Sequence, residues 1–231
     1  MSITRIGDAK TDEAAWLKAR ESLLTSSEMF SWLDDTPAWW EDGPEDVLEG
    51  KRGVRKVFDP ETETTIAHGS FDEENIIAKF GYAAGCQVMP DNGLFINDRY
   101  PGIGASIDGL GKPDPDAECQ PVFCQDRTLF PYINHYINDS DQEFLLECKK
   151  SLSVKWQNEV PEYYLTQVQT QLTILEMDYA IIFADTVAKG KDQKWRQYWD
   201  MRAYVVVRDP AWEQILLDEG EKFLDALESA W

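Results

Sequence analysis

The strongest chemical signal in this chain is carried by one acid and one amine on a short stretch. In "LLECKKS", from Leu145 to Ser151, Glu147 and Lys149 flank Cys148 directly behind an apolar run. Side chains along a strand alternate between faces. A strand over Phe144 to Lys149 therefore turns Leu145, Glu147 and Lys149 one way and Leu146 and Cys148 the other. Upstream, Asp108 lies in "ASIDGL", a turn with glycines on either side that let the backbone bend tightly. A carboxylate from a turn, a carboxylate on a strand and a nearby ammonium make a candidate hard-metal site. Oxygen ligands suit Mg²⁺ or Mn²⁺, and a lysine can steer or activate a water. The same Glu-x-Lys pattern also suits a plain ion pair on an edge strand.

A second cluster lies near the start of the chain. "TSSEMFSWL" carries the Thr25-x-x-Glu28 capping-box pattern, which predicts a helix with Ser26 and Ser27 in its first turn. The unpaired N–H groups of such a turn, with Arg20 one helix earlier, form a candidate anion seat. A simple capped helix is the plainer alternative. No Ser-His-Asp set is apparent around His68 or His135.

These residues need elements to position them. "TDEAAWLKARESLL" from Thr11 predicts an amphipathic helix with Ala15, Trp16, Ala19 and Leu23 on its apolar side. Residues 36 to 65 are rich in Pro, Gly and acids, then basic in "KRGVRK", with little regular pattern. A helix follows over "SFDEENIIAKFGYAAG", with Ile76, Ile77 and Phe80 inward and Gly85 as its stop. Short strands and turns are expected from Gly93 to Leu110, and a loop from Lys112 to about Gln142. After the "EFLLECKKS" strand come a helix in "PEYYLTQVQTQLTILEMD", strands in "YAIIFAD" and "RAYVVVRD", and a C-terminal helix opened by Asp209-Pro210. The order predicts an α/β architecture.

Length and charge limit the possibilities. At 231 residues the chain is most simply one domain. Lys and Arg number 22 against 43 Asp and Glu, a net charge of -21, which argues against a polyanionic partner unless a local basic lining exists. "KRGVRK" and the segment from Lys189 to Arg196 are candidates for that lining. No secretory leader or apolar run of membrane-spanning length is evident, so no membrane association is expected. The four cysteines lack paired zinc spacing and read as buried or incidental thiols in a reducing cytoplasm.

Five blocks in chain order together resemble the phage lambda-type alkaline exonucleases, the YqaJ-like viral recombinase branch of the PD-(D/E)xK nuclease superfamily. They are "AAWLKARESLLTSSEMF", "HGSFDEENIIAKFGYAAGCQV", "ASIDGL", "LLECKKS" with "YYLTQVQTQLTI", and "RAYVVVRDPAWEQILLDEGEKFLDAL". The resemblance implies a restriction-endonuclease-like core, a small mixed central sheet flanked by helices, and a single nuclease domain over 1–231. It implies Asp108 and Glu147 as metal ligands and Lys149 as the catalytic lysine. The helix acid is Glu73, with Glu74 one position away as the alternative. Arg20 and Ser27 match positions that hold a 5′-phosphate, and Tyr164 and Gln167 match the Tyr-x-x-Gln of the helix after the catalytic strand.

By the same resemblance the activity is Mg²⁺-dependent (or Mn²⁺-dependent) degradation of duplex DNA ends from 5′ to 3′, with two ions per site. A ring-shaped homotrimer, a single-strand annealing recombinase as partner and a bacterial or phage-infected cytoplasm are implied too. The gap at 112–142 is longer than the family's short hairpin and is expected to be a loop insertion near the site mouth. Rival readings are an endonuclease or repair nuclease on the same core, and a non-catalytic acidic interaction protein.

Overall fold

The computed structural model describes residues 2–33, 36–37, 40–54, 73–113, 137, 142–151, 160–189 and 195–229. The elements run β1 (Ile3–Asp8), α1 (Glu13–Arg20), β2 (Leu24–Thr25), α2 (Met29–Trp32), α3 (Pro44–Lys51), α4 (Glu73–Ala84), β3 (Cys86–Pro90), β4 (Gly93–Asn97) and β5 (Ile103–Ser106). They continue with β6 (Gly109–Pro113), β7 (Phe144–Ser151), α5 (Glu162–Leu175), β8 (Tyr179–Lys189), β9 (Trp195–Val207) and α6 (Ala211–Ser229).

Two mixed sheets result. The larger has the order β3-β6-β7-β8-β9, which makes β7 the central strand and excludes the edge-strand reading of its ion pair. Its neighbours are antiparallel except for β7 and β8, which are parallel and joined through α5. Parallel neighbours require such a crossover. The smaller sheet has the order β1-β4-β5-β2, with only the β2–β5 pair parallel.

Alternation along β7 and β8 separates two cores. Leu145, Ala180, Ile182 and Ala184 pack with Val168 and Leu172 of α5 and Phe223 of α6. Phe144, Leu146, Cys148, Ile181 and Phe183 pack with Ile76, Ile77 and Phe80 of α4. Each such large apolar side chain contributes about 1.5–3 kcal/mol by leaving water. Strand β7 is thus fixed from both sides, and Glu147 and Lys149 share the Leu145 face as the alternation predicted.

The C-terminal ends of α4 and α5 have defined stops. Gly85 closes α4 with φ +62, a conformation that favours glycine. Helix α5 ends at Glu176, which holds φ 55 despite its side chain. Buried Asn97 of β4 offsets that cost by donating to the Ile174 carbonyl at 3.0 Å and to Glu176 Oε1 at 3.3 Å.

Several sequence expectations need correction. Helix α1 buries none of its residues; its Trp16 instead lies under the Arg20 guanidinium, 4.5 Å from the ring centre. The second helix starts at Met29, so Ser26 and Ser27 precede it. Strand pairing takes that backbone: Leu24 and Ser26 donate to the carbonyls of Gly102 and Gly104 at 2.8 and 2.9 Å. Helix α3 forms within the segment expected to have little regular pattern, and strands β1 and β3 lie where no element was expected. Lys112 and Pro113 belong to β6 rather than to the expected loop. From 114 to 141 only Ile137 is described, fully buried in the α4-side core. Cys86 and Cys148 are buried thiols, as expected, while Cys119, Cys124, His68 and His135 lie outside the described residues.

Candidate active site

Glu147 is the hub of the site and is 2% exposed. A buried carboxylate is tolerable only when its oxygens are well supplied with donors. Its Oε1 accepts from Lys149 Nζ and, at 2.7 Å, from Gln167 Nε2. Its Oε2 accepts from Gln171 Nε2, also at 2.7 Å, and that amide donates as well to the Ser106 carbonyl at 2.7 Å. Gln167 and Gln171 lie one turn apart on α5, so one helix face delivers both amides. Helical spacing sets Gln171 on the same face as Tyr164 and Gln167.

Lys149 is held from three sides. Besides Glu147 it donates to Gln167 Oε1 at 3.1 Å, and its ammonium sits 4.6 Å from the centre of the Tyr164 ring. Loss of hydration alone would push the ammonium pKa down, but Glu147 and Asp108 outweigh it and hold the pKa above the ordinary lysine value. Lys149 therefore remains a cation at neutral pH.

Asp108 stands at the bend between β5 and β6, where its Oδ2 accepts from the Cys148 backbone N–H at 2.6 Å. That bond ties the turn to β7 beside Glu147. Dense surroundings, then the charges of Glu147 and Glu73, raise the Asp108 carboxyl well above the usual range, against the pull of Lys149.

Glu73 opens α4 within electrostatic reach of Asp108, Glu147 and Lys149. Burial is the largest influence on it and pushes its carboxyl up, and its Oε1 is buried with no hydrogen-bond partner. Glu74 turns away to solvent and pairs with Lys10 at 2.8 Å. The structure thus brings Asp108, Glu147, Lys149, Tyr164 and Gln167 together, with Glu73 rather than Glu74 beside them.

The donor set fits a hard divalent cation. Three carboxylates face one ammonium, and two of them are driven toward protonation, the response of acids short of positive charge. Among the described residues no group of three or more His, Cys, Asp or Glu side chains is already closed around one point. Asp108 and Glu147 are instead turned onto protein donors, and the orphaned Glu73 oxygen is the open valence.

Arg20 and Ser27 come together through Thr25. Arg20 Nη2 donates to Thr25 Oγ1 at 3.4 Å, and the hydroxyls of Thr25 and Ser27 are 3.2 Å apart. The capping-box acid does not cap α2. Glu28 Oε2 accepts from the Thr25 N–H at 2.9 Å, from the Thr25 hydroxyl at 2.6 Å and from Lys51 Nζ at 2.6 Å. Lys51, expected in a basic surface segment, is 5% exposed and committed to this pair. Nothing in the sequence signalled that contact. The cluster adjoins the acidic site, because β2 pairs with β5, whose Ser106 carbonyl is bonded to Gln171. The side chains of Lys189 and Arg196 lie outside the described residues.

A mixed sheet with its acid, Glu-x-Lys strand and crossover helix in this order defines the PD-(D/E)xK class of nuclease cores. Similarity of fold agrees with that class. The alkaline exonuclease of Laribacter hongkongensis matches with a TM-score of 0.62 at 17% identity, over 93% of this chain and 92% of that one. Its complex with dAMP matches with a TM-score of 0.58 at 18% identity over the same shares. A phage-related exonuclease from Haemophilus somnus 129PT matches with a TM-score of 0.52 at 12% identity, over 90% and 92% of the two chains. No curated protein sequence gives a significant match. Residues 15–178 match the model of the YqaJ-like viral recombinase domain, and the chain belongs to that family of nucleases. No helix among the described residues is long and apolar enough to cross a membrane.

Proposed function

We propose that this chain is a Mg²⁺-dependent exonuclease that shortens one strand of duplex DNA from its 5′ end and leaves a 3′ single-stranded overhang. The observation that carries this reading is a buried Glu147 held by two glutamines beside a charged Lys149, with Asp108 and Glu73 facing them. Asp108 and Glu147, with Glu73 beside them, would hold one or two Mg²⁺ or Mn²⁺ ions, which supply a Lewis acid and a water of lowered pKa.

The chain's own residues do the rest. Lys149 orients the attacking water and offsets the negative charge that grows on the phosphoryl oxygens. Gln167 and Gln171 fix the Glu147 oxygens, and the Tyr164 ring limits where the ammonium can sit. In-line attack on phosphorus breaks the bond to O3′, releasing a 3′-hydroxyl and leaving a 5′-phosphate on the shortened strand. Arg20 and Ser27, with the Thr25 hydroxyl between them, hold the terminal 5′-phosphate.

The whole sequence acts as one nuclease domain, with the segment from about 112 to 142 as an insertion near the site mouth. The family's description as a viral recombinase supports a role in strand-annealing recombination, beside a single-strand annealing protein in a bacterial or phage-infected cytoplasm. A ring-shaped homotrimer around duplex DNA accompanies this reading.

The test is digestion, in Mg²⁺, of linear duplex labelled on either strand, beside covalently closed circular duplex. Shortening of the 5′-terminated strand with circles intact is expected. Cut circles would establish the endonuclease reading instead, and a loss of label from 3′ ends first would overturn the polarity.

A further inference from the structure

The geometry points to Lys51 as a second cation of the terminal-phosphate pocket, held by Glu28 and shared with the phosphate when a 5′ end binds, so that the Glu28–Lys51 pair sets the preference for phosphorylated ends. This rests on the reading of Arg20 and Ser27 as that pocket.

The starting observation is a surplus of positive charge in a buried place. Arg20, Lys51 and Glu28 meet around the Thr25 hydroxyl, two cations to one acid, in a chain whose net charge is -21. Burial is unfavourable to both cations and Glu28 favours both, while Arg20 disfavours the charged form of Lys51. A like-charged buried pair with one shared acid is a poor arrangement for stability alone. It is a good arrangement for receiving an anion.

Arg20 has capacity to spare for that anion. Its guanidinium carries five N–H groups, and among the described residues its one hydrogen bond is the 3.4 Å contact to Thr25, with the Trp16 ring beneath it. Thr25 and Ser27 place two hydroxyls beside it, 3.2 Å apart. Glu28 meanwhile is supplied three times over, by the Thr25 N–H, the Thr25 hydroxyl and Lys51. It stays ionised if one of these donors turns to a ligand. The ammonium of Lys51 is the donor best matched to a phosphate monoester, whose second negative charge a diester or a hydroxyl lacks. Glu28 repels the incoming anion and so moderates the preference, which rests on the attraction of Arg20 and Lys51 for the doubly charged phosphate.

The pocket is therefore selective through balance. Arg20, Lys51 and Glu28 leave one net positive charge, which an end without phosphate cannot use and a phosphorylated end meets with two cations.

The experiment compares fluorescence anisotropy binding of 5′-phosphorylated and 5′-hydroxyl duplexes in chelator, with digestion of both in Mg²⁺. In the native chain a preference for the phosphorylated end is expected in both assays. Lys51→Met should reduce that preference roughly tenfold to a hundredfold, the scale of one charge-assisted hydrogen bond, and on phosphorylated ends the loss should lie in KM rather than kcat. Lys51→Arg should restore most of it, and Glu28→Gln should strengthen it. The double variant Lys51→Met with Glu28→Gln leaves a neutral buried pair and keeps the measurement accessible if Lys51→Met does not fold; it should lose the preference too. A native chain with no preference overturns the pocket at Arg20 and Ser27 itself. A native preference that survives both Lys51→Met and the double variant overturns only the role of Lys51.

Discussion

The amide of Gln171 and the carboxylate of Glu147 meet at 2.7 Å with both side chains buried, one on the crossover helix and one on the central strand that the helix crosses. The contact makes the orientation of a candidate metal ligand depend on a residue that has no chemistry of its own. Gln171→Leu leaves Glu147 Oε2 and the Ser106 carbonyl without their donor. A buried acceptor left unpaired costs about 1–3 kcal/mol, and removing a ligand's supporting partner lowers metal affinity or activity roughly 10- to 100-fold. Thermal unfolding together with Mg²⁺ titration by calorimetry checks both effects. A variant with native metal affinity would show that Glu147 is oriented without Gln171.

Glu147 and Asp108 hold the Lys149 pKa above the ordinary lysine value against the loss of hydration, and in the proposed reading the residue acts by charge and position. Lys149→Met is expected to reduce single-turnover cleavage by on the order of a hundredfold or more, the scale of losing one electrostatic group at a reacting centre. Lys149→Arg keeps the charge but not the compact ammonium that fits between Glu147, Gln167 and the Tyr164 ring. Its activity should stay close to that of Lys149→Met. Full activity in Lys149→Arg would show that charge alone suffices.

Adjacent acids at the start of α4 should behave oppositely. Glu73 is partly buried with an unpartnered oxygen, whereas Glu74 pairs with Lys10 on the surface. Glu73→Gln should lower cleavage and weaken Mg²⁺ binding, and Glu74→Gln should leave both unchanged. Rates at limiting and saturating Mg²⁺ separate the two. Equal losses in the pair would mean that the first turn of α4 is not ordered as described.

The raised carboxyls of Asp108 and Glu73 give a signed pH dependence. A raised folded pKa means that the folded chain binds more protons than the unfolded one between the ordinary carboxylate range and the raised values. Stability without metal therefore falls as pH rises through that window. A divalent cation displaces those protons, so its stabilising effect should grow as pH rises and fade in acid. Melting temperatures across pH, with and without Mg²⁺, test this. A Mg²⁺ increment independent of pH would show that these two acids do not meet the ion.

The grouping of the candidate site residues was legible from sequence because it rests on local rules. Period two along β7 set Glu147 and Lys149 on one face, and helical spacing set Tyr164, Gln167 and Gln171 on another. Spacing favoured Glu73 but kept Glu74 as the alternative, since the choice depends on how α4 is rotated against the sheet by Ile76, Ile77 and Phe80. Strands β1 and β3 escaped notice because "ITRIGD" and "CQVMP" show little apolar alternation and owe their form to partners β4 and β6. The Glu28–Lys51 pair was invisible for a related reason. The Glu28 bond to the Thr25 N–H is local, but Lys51, which shares the same oxygen, comes from another helix.

Strand β7 belongs to two cores at once, and this gives a genetic expectation. Phe144, Leu146 and Cys148 face the α4 core, while the intervening Glu147 projects to the opposite face. A packing lesion on the far face, such as Cys148→Ala or Phe144→Leu, shifts the backbone that carries Glu147 and donates the tie to Asp108. Conditional, heat-sensitive alleles of this nuclease should therefore cluster at those alternate positions, with every candidate catalytic side chain intact.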